Sequence, residues 1–348
     1  MEGAIRVSLE REPDASLAAA VEGDRHATVV ARDPETGRIV GMGTRCVWSA
    51  FVNGKPCHLG YLSQLRVDRA ARGRRSLLAA GYAALRELRG PGEAPFDLTS
   101  IIADNAVARR LLGASVPGLP RYHELSGFVT LVVPVGRKRH QGRYGFEIET
   151  GTPERVGEVA DCLVRNRRRY QVAPCFSTAE LLSPQRSRGL RPGDFRLAVR
   201  EGHVVGCLAL WDQSGFKQVV VRGYAPHLTR WRPWINRLSP VFGTPRLPDP
   251  GERLPHAYIS HLAIDGDDPE IFHALVESAY AEARARRYAY VVIGLAAGHP
   301  WLPWLERRFH PRRYESVLYT VDWGDGAAAT AAINALDGRL PHVEAALL

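Results

Sequence analysis

Apolar and polar positions along the chain sort into short strand-like runs and longer runs of helical period. Residues 60–68, GYLSQLRVD, read as a strand ending at Asp68. A short basic loop follows, and then SLLAAGYAALREL, from Ser76, places its apolar residues at helical spacing. Upstream, ATVVARDPETGRIVGMGTRCVW reads as a hairpin turning at Asp33–Gly37, and downstream LTSII and FVTLVVPV read as apolar strands.

The same succession then recurs. Residues 257–265, AYISHLAID, match 60–68 at four identical positions: Tyr61 with Tyr258, Ser63 with Ser260, Leu65 with Leu262, and Asp68 with Asp265. A hairpin, FRLAVREGHVVGCLALW, precedes this second copy, and a helix, EIFHALVESAYAEARAR, follows it before the strands YVVIGL and SVLYTVDW. Self-similarity of this kind has to be read before any single motif, because it decides the architecture. Each half reads strand, helix, strand, strand, strand, helix, strand, helix, strand. The expectation is an α/β protein of two similar lobes, 1–140 and 141–330, joined within GRKRHQGRYG at 136–145, with a tail at 331–348. The second lobe carries an insertion at 211–255, a proline-broken stretch mixing arginine and tryptophan. Trp231, Trp234, Arg230, Arg232 and Arg237 could cover a substrate site as a lid, pin the lobes together as a packing arm, or stack on nucleic-acid bases.

Bulk properties refine this picture. A chain of 348 residues has room for two domains, and a net charge of +9 with arginine clusters at 72–75 and 165–169 suits polyanionic partners or a solvated basic surface. Five cysteines, Cys46, Cys57, Cys162, Cys175 and Cys207, lack the spacing of metal sites and are expected as buried thiols, with no metal. Neither a leader-like N-terminus nor an apolar run of spanning length is present, so a cytoplasmic protein without a membrane partner is expected. No G-x-G-x-x-G follows a strand and no G-x-S-x-G occurs, which argues against dinucleotide and serine-hydrolase chemistry.

Element order over nearly the whole chain, together with LRVDRAARGRRSLL at 65–78 and DNAVARRLL at 104–112, resembles the GNAT superfamily of N-acetyltransferases in a tandem form. The resemblance implies two GNAT-like lobes, each a mixed, mostly antiparallel sheet flanked by helices, and acetyl-CoA or another acyl-CoA as co-substrate. It implies that backbone amides of Leu65, Arg66 and Val67 bind pantetheine and polarise the thioester. It also implies that the helix start at Arg72, Gly73, Arg74, Arg75 and Ser76 binds pyrophosphate through free amides and the helix dipole. Arg75 and Leu77 stand where the family has small residues, so here guanidinium groups would share the work.

By the same resemblance Asn105 would bind the pantetheine arm, although it is equally well placed as a helix cap. The family's tyrosine acid is replaced by Leu112, which leaves Tyr122 as the nearest acid, with Glu124, His58, His123 or His261 as positions for a base. In the second lobe GDDPEIF puts Asp267 and Asp268 at the helix start, repelling phosphate and confining any nucleotide to the first lobe. The expected activity is acyl transfer to an amine on a small molecule or peptide, with nucleic acid not expected as a partner. The alternative is a non-catalytic tandem GNAT-like protein that binds a ligand or partner.

Overall fold

A computed structural model describes residues 5–113, 116–136, 142 and 144–348. The first half runs β1 (Ile5–Glu10), α1 (Ala15–Glu22), β2 (Arg25–Arg32), β3 (Ile39–Val52), β4 (Lys55–Val67), α2 (Arg75–Glu87), β5 (Glu93–Ile102), α3 (Ala106–Gly113) and β6 (Arg121–Pro134). The second begins β7 (Glu147–Thr150), α4 (Val156–Arg167), β8 (Ala173–Pro174), α5 (Thr178–Leu181), β9 (Phe195–Arg200) and β10 (His203–Trp211). The insertion supplies β11 (Gln218–Tyr224) and α6 (Pro226–Phe242). Then follow β12 (His256–Ile264), α7 (Pro269–Ala285), β13 (Tyr290–Ala296), α8 (Leu302–Phe309), β14 (Arg312–Asp322) and α9 (Ala327–Asn334). The strand and helix order expected of each half is present, and the join expected at 136–145 lies largely outside the described residues.

The halves share one sheet. Its strand order is β2-β3-β4-β5-β14-β6-β13-β12-β10-β9-β7, with β8 attached to β3. The last strand of each half has crossed to the other: β14 pairs with β5, β6 pairs with β13, and the two pair antiparallel at the centre from Arg312↔Val132 to Asp322↔Arg121. Only β4–β5 and β12–β13 are parallel, which makes the sheet mixed and mostly antiparallel. In the second half β7 pairs with β9 as the outer strand, whereas β1 leaves the first half's edge and forms a separate ribbon with β11. That ribbon brings the insertion over the first lobe.

The repeated unit contains a repeated distortion. Gln64 and His261, at the same place in GYLSQLRVD and AYISHLAID, have φ of 53° and 52°. Beside each, the ladder slips, between Met42 and Thr44 on β3 and between Cys207 and Ala209 on β10. These are bulges, which bend a strand away from its neighbour and recur beside active sites. The parallel pairing accordingly stops early, at Leu62↔Thr99 in one lobe and Tyr258↔Val292 in the other. Thr99 Oγ1 donates to the Leu62 carbonyl at 2.7 Å, the last tie before β4 and β5 separate.

Two buried ion networks hold this frame. Arg45 on β3 reaches across β4 to Asp97 on β5 with two hydrogen bonds of 2.8 Å and also binds Glu93 and the Leu88 carbonyl. It can do so because Gly60 lies between: a Cβ there would come within 2.0 Å of Asp97 Oδ1. In the second half Arg167 pairs with Glu344, whose carboxylate also accepts from the His261 amide. The stretch 331–348 is therefore no loose tail. Val343 packs with Trp48 and Phe96, and Ala346 and Leu347 pack with Leu197 and Trp211.

Candidate active site

Where β4 and β5 part, a cavity of about 590 Å³ opens. Its floor is Tyr61 to Arg66 of β4 and Thr99 to Ile102 of β5, and its sides come from Tyr82 and Leu85 of α2, Asn105 just before α3 and Tyr122 of β6. Leu9, Glu10 and Arg11, with Lys217 and Leu348, complete the wall. The site is thus shaped by the first half and covered by the β1–β11 ribbon.

Several expected residues meet here and others do not. Leu65 and Arg66 line the cavity, while Val67 faces a small recess beside Leu77 and Leu78. Asn105 lines the cavity and also caps α3, its Oδ1 accepting from the Ala108 amide at 3.1 Å. Tyr122 is inside, with its hydroxyl 2.6 Å from that of Tyr82. Burial, together with Tyr82, pushes the Tyr122 phenol well above its ordinary pKa, so it keeps its proton at neutral pH. Glu124 does not line the cavity, although as the second residue on from Tyr122 it shares that strand face; it sits exposed, 3.9 Å from Arg109. His58 and His123 are also outside the lining. His261 is sealed in the second half's core against Phe176, Phe195 and Trp211.

Arg72, Gly73, Arg74, Arg75 and Ser76 stand beyond the end of β4 and do not line the cavity. Asp68 caps one turn of 3₁₀ helix, Arg69–Ala71, Gly73 follows with φ +85°, and α2 starts at Arg75. No side chain caps α2 and its first turn has no carboxylate, so its first amides remain open to an anion. In the second half α7 is capped by Asp268, which accepts from Glu270 at 2.8 Å and Ile271 at 3.5 Å. Asp265 and Asp267 are bound by Arg165 and Arg169, which ties α4 to the turn before α7.

Lys217 was not anticipated. It is buried in the cavity wall, and its Nζ donates to the carbonyls of Leu348 at 2.8 Å and Ala346 at 3.3 Å. Desolvation pulls its pKa down to about 8, against the attraction of Glu22 and with the help of Arg11. A signal for it does exist in the sequence. The chain holds only three lysines, Lys55, Lys138 and Lys217, among 46 basic residues. Arginine does not deprotonate in proteins, so a buried lysine in an arginine-dominated chain marks a place where a titratable amine is retained.

The shared sheet with its parted parallel strands is the fold of the GCN5-related N-acetyltransferases, here in a two-lobe form. A GCN5-related N-acetyltransferase from Sphaerobacter thermophilus aligns over 90% of this chain and 95% of its own, at 16% identity and a TM-score of 0.54. Saccharomyces cerevisiae N-myristoyltransferase, solved with bound myristoyl-CoA, aligns over 92% of this chain and 72% of its own at 11% identity and a TM-score of 0.58. The glucosamine N-acetyltransferase region of a fungal multi-domain GH3 beta-N-acetylglucosaminidase aligns over 92% of this chain and 38% of that one, at 13% identity and a TM-score of 0.55. At these identities the likeness is one of fold. No protein-family model matches the sequence, and neither does any curated protein.

Proposed function

We propose that the chain is an acyl-CoA-dependent N-acyltransferase, with acetyl-CoA the first donor to test and a small-molecule or peptide amine as acceptor. The parting of β4 from β5 over the cavity carries the reading. Strands that separate inside a sheet leave backbone amides and carbonyls without strand partners, and an extended, amide-bearing pantetheine arm can take the missing strand's place. The likeness to an N-myristoyltransferase solved with myristoyl-CoA supports a thioester of coenzyme A as donor.

In this reading Leu65 to Val67 offer amides to pantetheine and to the thioester carbonyl, where charge builds during attack. The uncapped start of α2, with Arg72, Arg74 and Arg75 around it and Gly73 and Ser76 in the turn, takes the pyrophosphate. Asn105 approaches the pantetheine arm from the start of α3. Tyr122 supplies a proton from Oη to the departing thiolate, and Tyr82 orients that hydroxyl. The proposal drops Glu124 as a base and gives that role to Lys217, whose neutral Nζ takes a proton from the acceptor's ammonium.

Isothermal titration of the full chain with acetyl-CoA tests the donor site. Binding at sub-millimolar concentration is expected, weakened roughly tenfold or more in an Arg72→Ala/Arg74→Ala/Arg75→Ala variant. Absence of wild-type binding to acetyl-CoA and to longer acyl-CoA thioesters overturns the reading.

Lys217 makes a separate prediction. Because its folded pKa is lowered to about 8, the neutral form grows as pH rises, and kcat/KM should climb through that pH. Lys217→Arg keeps a donor for the Ala346 and Leu348 carbonyls but cannot release its proton. It should flatten the climb and lower the rate about a hundredfold at pH 8. An unchanged pH profile would return Lys217 to a purely structural role.

A further inference from the structure

Helix α6 turns an apolar stripe outward. Trp231, Trp234, Leu238 and Phe242 follow at spacings of three and four residues and so share one side of the helix. They are 58, 58, 45 and 57% exposed, whereas Ser239 on the inward side is 3% exposed. A helix serving only to pack on a core would do the reverse. The packing-arm reading of these tryptophans therefore fails, and so does the reading of the segment as broken by proline. Pro226 opens the helix, and Pro233 sits on its solvent side, where the carbonyl it leaves unbonded can be hydrated.

Cations border the stripe. Arg230 and Arg237 lie along its edge, Arg246 follows in the next loop, and α6 contains no Asp or Glu. Among the described residues none of these three arginines forms an ion pair, while Arg232, turned inward, takes Asp249. β11 leads directly into α6 and pairs with β1, whose Val7 and Leu9 are exposed, and Leu9 lines the cavity.

We propose that α6 docks the protein on an anionic lipid surface, its tryptophan stripe entering the headgroup boundary while Arg230 and Arg237 hold lipid phosphates. Charge decides between occupants. A second copy meeting this face across a two-fold axis would set arginines against arginines with no carboxylate on the helix to answer them. A surface that is apolar beneath and anionic above satisfies both halves of the face. No helix of the described residues is long and apolar enough to cross a bilayer, so the contact is a surface one. It revises the expectation of no membrane partner, which rested on the absence of a spanning run.

The test is flotation of the full chain with vesicles of phosphatidylcholine, alone or mixed with phosphatidylglycerol, with tryptophan emission read alongside. Wild type should float with the mixed vesicles only, lose binding as salt rises, and shift its emission to the blue. Arg230→Gln/Arg237→Gln should bind about twenty-five-fold more weakly, from two cationic contacts of about fivefold each. Trp231→Ser/Trp234→Ser should lose the blue shift and the flotation. Because the four side chains are exposed, both variants should keep the wild-type circular dichroism and the wild-type affinity for acyl-CoA in solution. Failure of wild type to float with anionic vesicles, or equal flotation of all three proteins, overturns the proposal. A wild-type dimer that the tryptophan variant dissolves would assign the face to a second copy of this chain and overturn it as well.

Discussion

Acidification from pH 7.5 to 5.5 is expected to remove a large part of the chain's folding stability. His261, His299 and His342 are all buried. Desolvation holds His299 down to about 4, and desolvation together with the Arg167 charge holds His261 and His342 well below the ordinary imidazole value of 6.5. Their folded pKa values are depressed, so each contributes stability that is complete above 6.5 and is lost as pH falls toward the folded value. Below 6.5 the unfolded chain takes up protons that the folded chain refuses. Each such histidine then costs about 1.4 kcal/mol per pH unit, or about 4 kcal/mol per unit for the three, against a total of roughly 5–15 kcal/mol for a folded domain. Denaturant titrations at pH 7.5, 6.5 and 5.5 should show the midpoint dropping steeply over the last interval. His299→Gln should lessen that slope by about a third. A stability that stays level from pH 7.5 to 5.5 would refute the assignment of these rings as neutral and buried.

Gly60→Ala should be strongly damaging to the first half. The added methyl would meet Asp97 Oδ1 and Arg45 Nη2 at 2.0 and 2.4 Å, and neither group can retreat, because Arg45 is bound to Asp97, Glu93 and the Leu88 carbonyl while Asp97 also accepts from Trp323 at 3.1 Å. Breaking a buried ion pair while leaving its charges in place costs about 3–5 kcal/mol. The site would suffer with the fold, because Gly60 and Asp97 are register partners just before the Leu62↔Thr99 pair where the cavity opens. A double-mutant comparison isolates the cause: in an Arg45→Met background the methyl has one obstacle fewer, and the Gly60→Ala increment should fall by at least 1 kcal/mol. Equal increments in both backgrounds would place the damage elsewhere.

The repeat was the legible part of the architecture, because duplicated hydrophobic periods survive divergence at single positions. Both copies of Tyr-x-Ser-x-Leu became bulged strands beside a gap. The bulge itself was not readable, since neither copy places a glycine at the position of positive φ, which Gln64 and His261 occupy. Strand exchange was equally hidden: β6 and β14 are alternating strands whichever half they join, and their pairing depends on which edges are open. Tyr122, Asn105, Leu65 and Arg66 came to one cavity because adjacent elements in sequence converge there. Lys217 arrives from the other half across the β1–β11 ribbon, which no local pattern could announce. Trp231 and Trp234 were conspicuous as residues, but their direction followed from a helix whose prolines concealed it.

The crossed strands at the centre carry a last consequence. A single half, taken alone, would leave β5 without its outer neighbour and β6 without the strand it now completes, and a second copy could repair both faults by returning the favour. The chain thus has the form of a strand-swapped homodimer written on one polypeptide. Within that form the halves differ: the first has the cavity where β4 and β5 part and an uncapped α2, while the second caps α7 with Asp268 and lends β14 to the open side of β5.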